Sequence, residues 1–250
     1  MTNKLLEGKK ALITGSRRGI GAGIAQLFAE HGADVGINDI TRDNEAEKTI
    51  ASIETLGRKA SWHHADVGNS DDRTRMLDEF IEQHGRIDIL VNNAVASADV
   101  HFTEITEELW DHLVGHALKG YLFLSQGVVN RMIEHGHGGS IINISSTASL
   151  NPSPGSEPYG AAKSGLNALT RSFAFAYGPK VRVNCIVAGP FLTDISKAWD
   201  LPAFEKNAKA NLALQRGGQP DEIVGAALYL ASPATTFTTG TTIRVDGGTS

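Results

Sequence analysis

Tyr159 and Lys163 stand four residues apart in the run Tyr159-Gly160-Ala161-Ala162-Lys163. On a helix, positions i and i+4 share a face, and the small residues between them leave room for a ligand to lie close. Ser146 precedes Tyr159 by 13 residues. A hydroxyl, a phenol and an ammonium suit a reaction that moves a proton to or from an oxygen as a ketone is reduced or an alcohol oxidised. A phenol with its ordinary pKa of about 10 is a poor base at neutral pH, and lowering that value by about 3 units takes on the order of 4 kcal/mol. An ammonium about 5 Å away supplies on the order of 3 kcal/mol at an effective dielectric of 20, and the positive ring of an oxidised nicotinamide would add to it. Ser146 can hold the substrate oxygen by a hydrogen bond. Tyr-x-x-x-Lys by itself is a weak signal, because lysine is common and the chain has four tyrosines.

A second cluster points to the hydride carrier. Thr14-Gly15-Ser16-Arg17-Arg18-Gly19-Ile20-Gly21 falls between a strand-like run at 11–14 and a helical pattern at 19–31. Glycines there permit a tight turn and let backbone N–H groups approach a pyrophosphate at a helix N-terminus. The spacing Gly15-x-x-x-Gly19-x-Gly21 is not that of the G-x-G-x-x-G fingerprint, but its place after the first strand favours dinucleotide binding. Asp39 ends the next strand, 18 residues beyond Gly21, near the offset of the acid that accepts from the adenosine ribose. A carboxylate there repels a 2′-phosphate and favours NAD. Arg17 and Arg18 pull toward NADP if a guanidinium pairs with that phosphate; otherwise they are solvent-exposed turn residues. Asp39 weighs more, so NAD is expected, with NADP possible.

Positioning these groups requires a parallel sheet. Strand-like runs at 11–14, 34–39, 60–65, 87–91, 140–145, 181–186 and 241–245 alternate with helical patterns at 19–31, 44–56, 71–84, 106–134, 158–177 and 222–230. Buried strands alternating with amphipathic helices give an α/β fold, a single-domain, doubly wound, Rossmann-like parallel sheet of about seven strands with helices on both faces. Gly32, Gly57 and Gly85 follow three of the helices where left-handed caps belong. Ligands gather beyond the carboxyl ends of such strands, which places Ser146 and the start of the next helix at one crevice. The stretch 189–220 lacks strand character and reads as a helical substrate flap.

Composition narrows the partners. Lys and Arg number 23 against 28 Asp and Glu, a net charge of −5, with 41% apolar and 20% charged residues. Such values are ordinary for a globular chain and argue against disorder, and 250 residues bury a core without staples. The pI of about 6.0 argues against nucleic acid, whose binding domains are typically basic, with pI above about 9. Cys185 is the sole cysteine, so no disulfide forms within the chain, which fits a reducing compartment. The N-terminal residues lack the apolar stretch of a signal peptide, and no apolar run approaches the roughly 18 residues of a membrane span. The expected location is the cytoplasm, with no membrane partner and no metal.

Together the Thr14–Gly21 turn, Asp66-Val67, Asn92-Asn93-Ala94, Ser146, Tyr159 with Lys163, Arg182-Val183-Asn184 and Val245-Asp246-Gly247-Gly248 resemble the short-chain dehydrogenase/reductase family over nearly the whole chain. The resemblance implies that Tyr159 is the general acid/base, that Lys163 lowers its pKa and binds the nicotinamide ribose, and that Ser146 orients the substrate oxygen. It implies that Asp66 and Val67 contact adenine, that Asn92 holds the cofactor-side backbone and that Leu192 and Thr193 contact the carboxamide. Ala94 and Gly189 join the cofactor-binding set with Gly15, Arg17, Arg18, Gly19, Ile20, Gly21 and Asp39. It implies a homo-oligomer, a tetramer or dimer, often built through the two long central helices. The expected activity is hydride transfer between a nicotinamide cofactor and a secondary alcohol or ketone. The alternative is a non-catalytic NAD(P)-binding sensor or scaffold, which the fold does not exclude and against which Ser146, Tyr159 and Lys163 argue.

Three positions depart from the family pattern. Val95 stands where Asn-Asn-Ala is usually followed by glycine, placing a branched side chain against cofactor or substrate. Ala188-Gly189 replaces a Pro-Gly, at some expense of rigidity. Ala117 lies three residues before Gly120, where the family carries an asparagine associated with a proton-relaying water, so a modified relay is expected. His116 is adjacent but points about 100° away on an α-helix; with His112 it reads as a partly solvated pair. His63-His64 and His135-Gly136-His137 lack metal-ligand companions and read as strand-end and loop residues. Trp199 and Phe191 either line or pack a mainly apolar pocket together with Pro152 and Pro154.

Overall fold

The computed structural model describes residues 4–96, 98, 100–193, 196 and 199–249. Seven strands form one parallel sheet: β1 Lys10–Ile13, β2 Asp34–Asp39, β3 Ala60–His64, β4 Ile89–Asn92, β5 Gly139–Ser146, β6 Val181–Ala188 and β7 Thr242–Val245. Their spatial order is β3-β2-β1-β4-β5-β6-β7, the doubly wound, Rossmann-like arrangement expected. Ile13 pairs with Ile37 on one side and Val91 on the other, so the winding reverses between β1 and β4. A ligand crevice opens at such a switch point.

Alternation along the strands divides the core. Ala11 and Ile13 join Ile24 and Phe28 of α1 (Gly19–Glu30) and Ile223 and Leu230 of α8 (Asp221–Ala231). Leu12 points the other way, against Met76 and Phe80 of α3 (Ser70–His84) and Leu124 and Val128 of α5 (Tyr121–Glu134). Successive strand side chains face opposite sides, and both faces are covered, which is why the strands read as nearly continuous apolar runs. Gly32, Gly57 and Gly85 have φ of 97°, 72° and 81°, the left-handed stops expected after α1, α2 (Asn44–Thr55) and α3. Asp43 caps α2, Asn69 caps α3 and Asp200 caps α7 (Leu201–Asn211), the helical part of the stretch 189–220.

The stretch 106–134 is not one uniform helix. α4 (Glu107–Val114) passes into a π-helical segment, Gly115–Gly120, before α5. Gly120 is pressed against the loop after β3, where an added Cβ would fall 2.5 Å from the Val67 carbonyl oxygen. The wider π turn changes which way His116 and Ala117 face, and such segments are frequent at functional sites. α6 runs Glu157–Tyr177, with Pro158 in its first turn, where proline's missing N–H has no intrahelical partner to lose.

His63, beside the last residue His64, lies at the end of β3 as expected from sequence. It is fully buried within β3, and Ser61 Oγ lies 2.8 Å from Nε2 of both His63 and His84. A hydroxyl has one hydrogen to donate, so at most one of the two Nε2 atoms accepts from Ser61 and at least one of them carries its own hydrogen. His84 also stacks on Phe80 with ring centres 4.5 Å apart. Burial first, then nearby Lys59 and His63, pushes His84 down to about 4. The unfolded chain therefore takes up this proton before the folded one, and stability falls as pH drops from about 6.5 toward 4. His84→Phe keeps the stack and removes the titration. Thermal melts should show the wild-type midpoint falling at least about 4 °C further than the variant's between pH 7 and pH 5; parallel curves would contradict the assignment.

Candidate active site

Ser146 ends β5, and Tyr159 and Lys163 occupy the first two turns of α6. Parallel pairing with β4 and β6 brings the β5 end to the crevice, and the 3-10 turn Thr147–Ser149 leads the chain round to α6. Tyr159 hydrogen bonds with Ser146. The Lys163 ammonium donates to the Ile144 carbonyl at 2.7 Å and lies 5.6 Å from the centre of the Tyr159 ring, so the three predicted groups converge. Lys163 is only 2% exposed, and burial pushes its pKa down to about 8.

The phenol differs from expectation. Burial raises the Tyr159 pKa, and its hydrogen bond with Ser146 opposes that rise without reversing it. In the protein alone, desolvation outweighs the favourable polar contacts. An acidic phenol in this setting requires further positive charge in the crevice.

The glycine turn faces this set from the end of β1. Gly15 and Gly19 have φ of 60° and 61°. A Cβ on Gly15 would lie 2.6 Å from Ala94 Cα, and one on Gly21 would lie 2.5 Å from the Gly15 carbonyl oxygen; only bare backbone packs this closely. Thr14 Oγ1 accepts from the N–H groups of Asn93 (2.9 Å) and Ala94 (3.0 Å), while Asn93 Nδ2 donates to the Thr14 and Gly15 carbonyls at 2.9 Å each. The turn is thereby fastened to the loop after β4. Ile20 follows in the first turn of α1. Thr193 is the nearest group to the missing Cβ of Gly19, 3.8 Å away, so 193 and the glycine turn lie side by side. Leu192 N–H donates to the Gly218 carbonyl at 2.8 Å, and Gly189 N–H to Val245 at 2.9 Å. Phe191 packs into the core, and Trp199 contacts Phe204 with ring centres 5.0 Å apart.

Asn92 works from inside. Fully buried, it donates to Ser125 Oγ at 2.9 Å and Asn143 Oδ1 at 2.8 Å, and Asn143 donates in turn to Thr170 Oγ1 at 2.9 Å. These bonds tie β4 and β5 to α5 and α6. Val95 lies 38% exposed at the loop surface.

Arg17 is not a solvent-exposed turn residue. Its side chain is 13% exposed, forms an ion pair with Asp43 and stands 3.6 Å from Asp39 Oδ2 through Nε. Asp39 Oδ1 accepts from the N–H groups of Ile40 and Thr41, leaving Oδ2 toward Arg17. Arg18 is exposed beside it. Asp66 Oδ1 accepts from the Gly68 N–H at 2.7 Å and pairs with His116 Nε2 at 2.8 Å. His116 Nδ1 lies 2.6 Å from the His112 carbonyl, which can only accept. Both ring nitrogens therefore face acceptors. His116 is engaged with the loop after β3, and its partly exposed ring lies 4.3 Å from that of His112, the partly solvated pair expected from sequence. Val67, next to Asp66, is buried.

These residues fit a dinucleotide. α1 opens without a side-chain cap and with no acidic residue in its first turn, so its N-terminal N–H groups remain available to an anion beside a cradle that a single Cβ would fill. Sequence reasoning missed Tyr121, whose ring lies 4.9 Å from the Lys163 ammonium and whose hydroxyl donates to the Ala94 carbonyl at 2.7 Å. A tyrosine on an apolar helix face reads as core, and only its i+4 spacing from Ala117 hinted at the site.

A family model described as enoyl-(acyl carrier protein) reductase matches residues 15–250. The chain is 38% identical over 249 residues to a 3-oxoacyl-(acyl-carrier-protein) reductase of Chlamydia muridarum, covering 98% of this chain and 99% of the relative. A 7α-hydroxysteroid dehydrogenase solved with NADH and 7-oxo glycochenodeoxycholic acid superposes with a TM-score of 0.93 at 34% identity, covering 99% of this chain and 96% of the other. A short-chain dehydrogenase of Burkholderia cenocepacia J2315, solved with NADP, superposes with a TM-score of 0.91 at 30% identity, covering 98% of each chain. The chain belongs to the short-chain dehydrogenase/reductase family, oxidoreductases that use nicotinamide cofactors on small-molecule substrates.

Proposed function

We propose that the protein interconverts a secondary alcohol and a ketone, prefers NAD to NADP, and uses Tyr159 as its general acid/base. The observation that carries this reading is the convergence of Ser146, Tyr159 and a buried Lys163 at the end of β5. A bound nicotinamide would supply or accept the hydride. Tyr159 gives the carbonyl oxygen a proton or takes one from the alcohol. Ser146 holds that oxygen by a hydrogen bond. Lys163 favours the phenolate by its charge and bonds the nicotinamide ribose. The glycine turn from Gly15 to Gly21 and the N-terminus of α1 hold the pyrophosphate, Asp66 and Val67 the adenine, and Ala94, Gly189, Leu192 and Thr193 the nicotinamide half. Asn92 supports this surface from within.

Asp39 supports NAD. Two carboxylates, Asp39 and Asp43, flank Arg17, so the guanidinium is already matched and an incoming 2′-phosphate meets excess negative charge. The relatives named above include one holding NADH and one holding NADP, so this preference rests on Asp39 and Arg17. The 3-oxoacyl and 7-oxo names of two relatives both denote ketones, which supports the substrate class. The 189–220 flap, with Trp199 and Phe204 in contact, favours a mainly apolar substrate. Among the described residues no helix is long and apolar enough to cross a membrane. A cytoplasmic homo-oligomer, a dimer or tetramer, fits the family's habit of assembly. The whole chain forms one catalytic domain in this reading.

Absorbance at 340 nm with NAD and a panel of secondary alcohols and ketones tests the reaction. Tyr159→Phe should lower kcat by at least about 100-fold while NADH binding persists; turnover that survives removes Tyr159 from its role, and tight NAD binding without turnover on any panel favours a sensor. Asp39→Ser should raise kcat/KM for NADP relative to NAD by about 5-fold or more, since removing one charge a few ångströms from the phosphate is worth at least about 1 kcal/mol. An unchanged ratio would place the discrimination elsewhere.

A further inference from the structure

Lys163 is a cation almost without water. An ammonium has three hydrogens to donate, and the Ile144 carbonyl of β5 takes one at 2.7 Å. Among the described residues no carboxylate contributes to its electrostatics. The titratable groups facing it are Tyr121 from α5, Tyr159 from its own helix and Cys185 from β6. Burial pushes the Cys185 thiol up to about 11 and the Tyr121 phenol well above its ordinary value, so neither balances the charge at neutral pH. Ala117, one helical turn before Tyr121, is fully buried and offers no polar side-chain atom.

What remains is an aromatic face. The Lys163 ammonium lies 4.9 Å from the centre of the Tyr121 ring, nearer than the 5.6 Å to Tyr159. Within about 6 Å a cation is attracted by the ring's negative face, most strongly where water is excluded. The ring is fixed at both ends. Tyr121 is 1% exposed, and its hydroxyl donates to the Ala94 carbonyl at 2.7 Å. Ala94 in turn donates its N–H to Thr14 Oγ1 at 3.0 Å, at the head of the glycine turn.

We propose that Tyr121 is the positioning residue of the site: its ring holds the Lys163 ammonium by a cation–π contact, and its hydroxyl ties that ring to the Ala94 loop and so to the glycine turn. The importance of this for turnover rests on the proposed role of Lys163; the contact itself does not. In effect, an aromatic face supplies the electrostatic support that the apolar position 117 does not.

The test needs no substrate. Lysine labelled with 13C at Cε, with the Lys163 signal identified by its loss in Lys163→Met, reports the ammonium titration in cofactor-free protein. The wild type and Tyr121→Phe should titrate near 8. Tyr121→Leu should titrate about one pH unit lower, the shift expected when a desolvated cation–π contact is removed. If Tyr121→Leu does not fold, a pentafluorinated phenylalanine at position 121 keeps the ring shape, reverses its quadrupole and should give the same downward shift relative to Tyr121→Phe. Titration unchanged when the ring is removed or fluorinated, or a Tyr121→Phe shift as large as that of Tyr121→Leu, overturns the cation–π assignment. For the hydroxyl, NADH fluorescence should show Kd rising about fivefold in Tyr121→Phe, as for one lost hydrogen bond; an unchanged Kd overturns the link to the Ala94 loop. A wild type that binds NADH and shows the expected lysine shifts but turns over no substrate would contradict the reaction and leave the role of Tyr121 standing.

Discussion

A buried ammonium with no carboxylate beside it among the described residues is the constraint around which this site is arranged. Taking Lys163 out of water disfavours its charge, and the depressed pKa records that penalty. A carboxylate partner would remove the penalty but also neutralise the field felt by Tyr159. The fold instead offers one backbone carbonyl and two aromatic faces. These hold the cation while leaving its charge uncompensated, which is the condition under which it can act on a neighbouring phenol. In the protein alone burial still dominates at Tyr159, so an acidic phenol there requires more positive charge in the crevice.

The same constraint explains the polar staples beneath the site. A cation in low dielectric is worth most when its surroundings do not reorganise. Asn92, Asn143, Ser125 and Thr170 lock β4 and β5 to α5 and α6, and Thr14 with Asn93 fastens the glycine turn to the loop after β4. The second network spans the switch point between β1 and β4, and the first begins beside it at Asn92, the last residue of β4. Rigidity is thus concentrated where the cofactor's two halves would meet the sheet. At the outer edge, the carboxylates around Arg17 and the His116–Asp66 pair set charge rather than position.

Strand and helix periods made the sheet readable from sequence, because the central strands β1, β2, β4, β5 and β6 are buried on both faces and alternate with amphipathic helices. Gly32, Gly57 and Gly85 were legible as stops because only a positive φ explains a glycine there. Ser146, Tyr159 and Lys163 were legible through their spacing taken together with the glycine turn and the order of strands, since Tyr-x-x-x-Lys alone is a weak signal. Less legible were features that depend on a helix departing from ideal pitch. The π segment at Gly115–Gly120 turns His116 toward Asp66, and no period reveals that in advance. Arg17 looked exposed because its two acids, Asp39 and Asp43, come from the next strand and the cap of the next helix. His63 was legible as a strand-end residue, but its link through the Ser61 hydroxyl to His84, on a helix 21 residues away, was not. Tyr121 was hidden for the opposite reason: an aromatic in a buried helix needs no special explanation until the ammonium beneath it is seen.

The central claim is that Tyr159 becomes an acidic phenol once the crevice holds a dinucleotide beside Lys163. Ultraviolet difference titration near 295 nm, subtracting Tyr159→Phe from the wild type with and without saturating NAD, measures this directly. Without NAD the difference signal should ionise above about 10, and with NAD below about 8. A phenol that ionises at the same pH in both states would contradict the account.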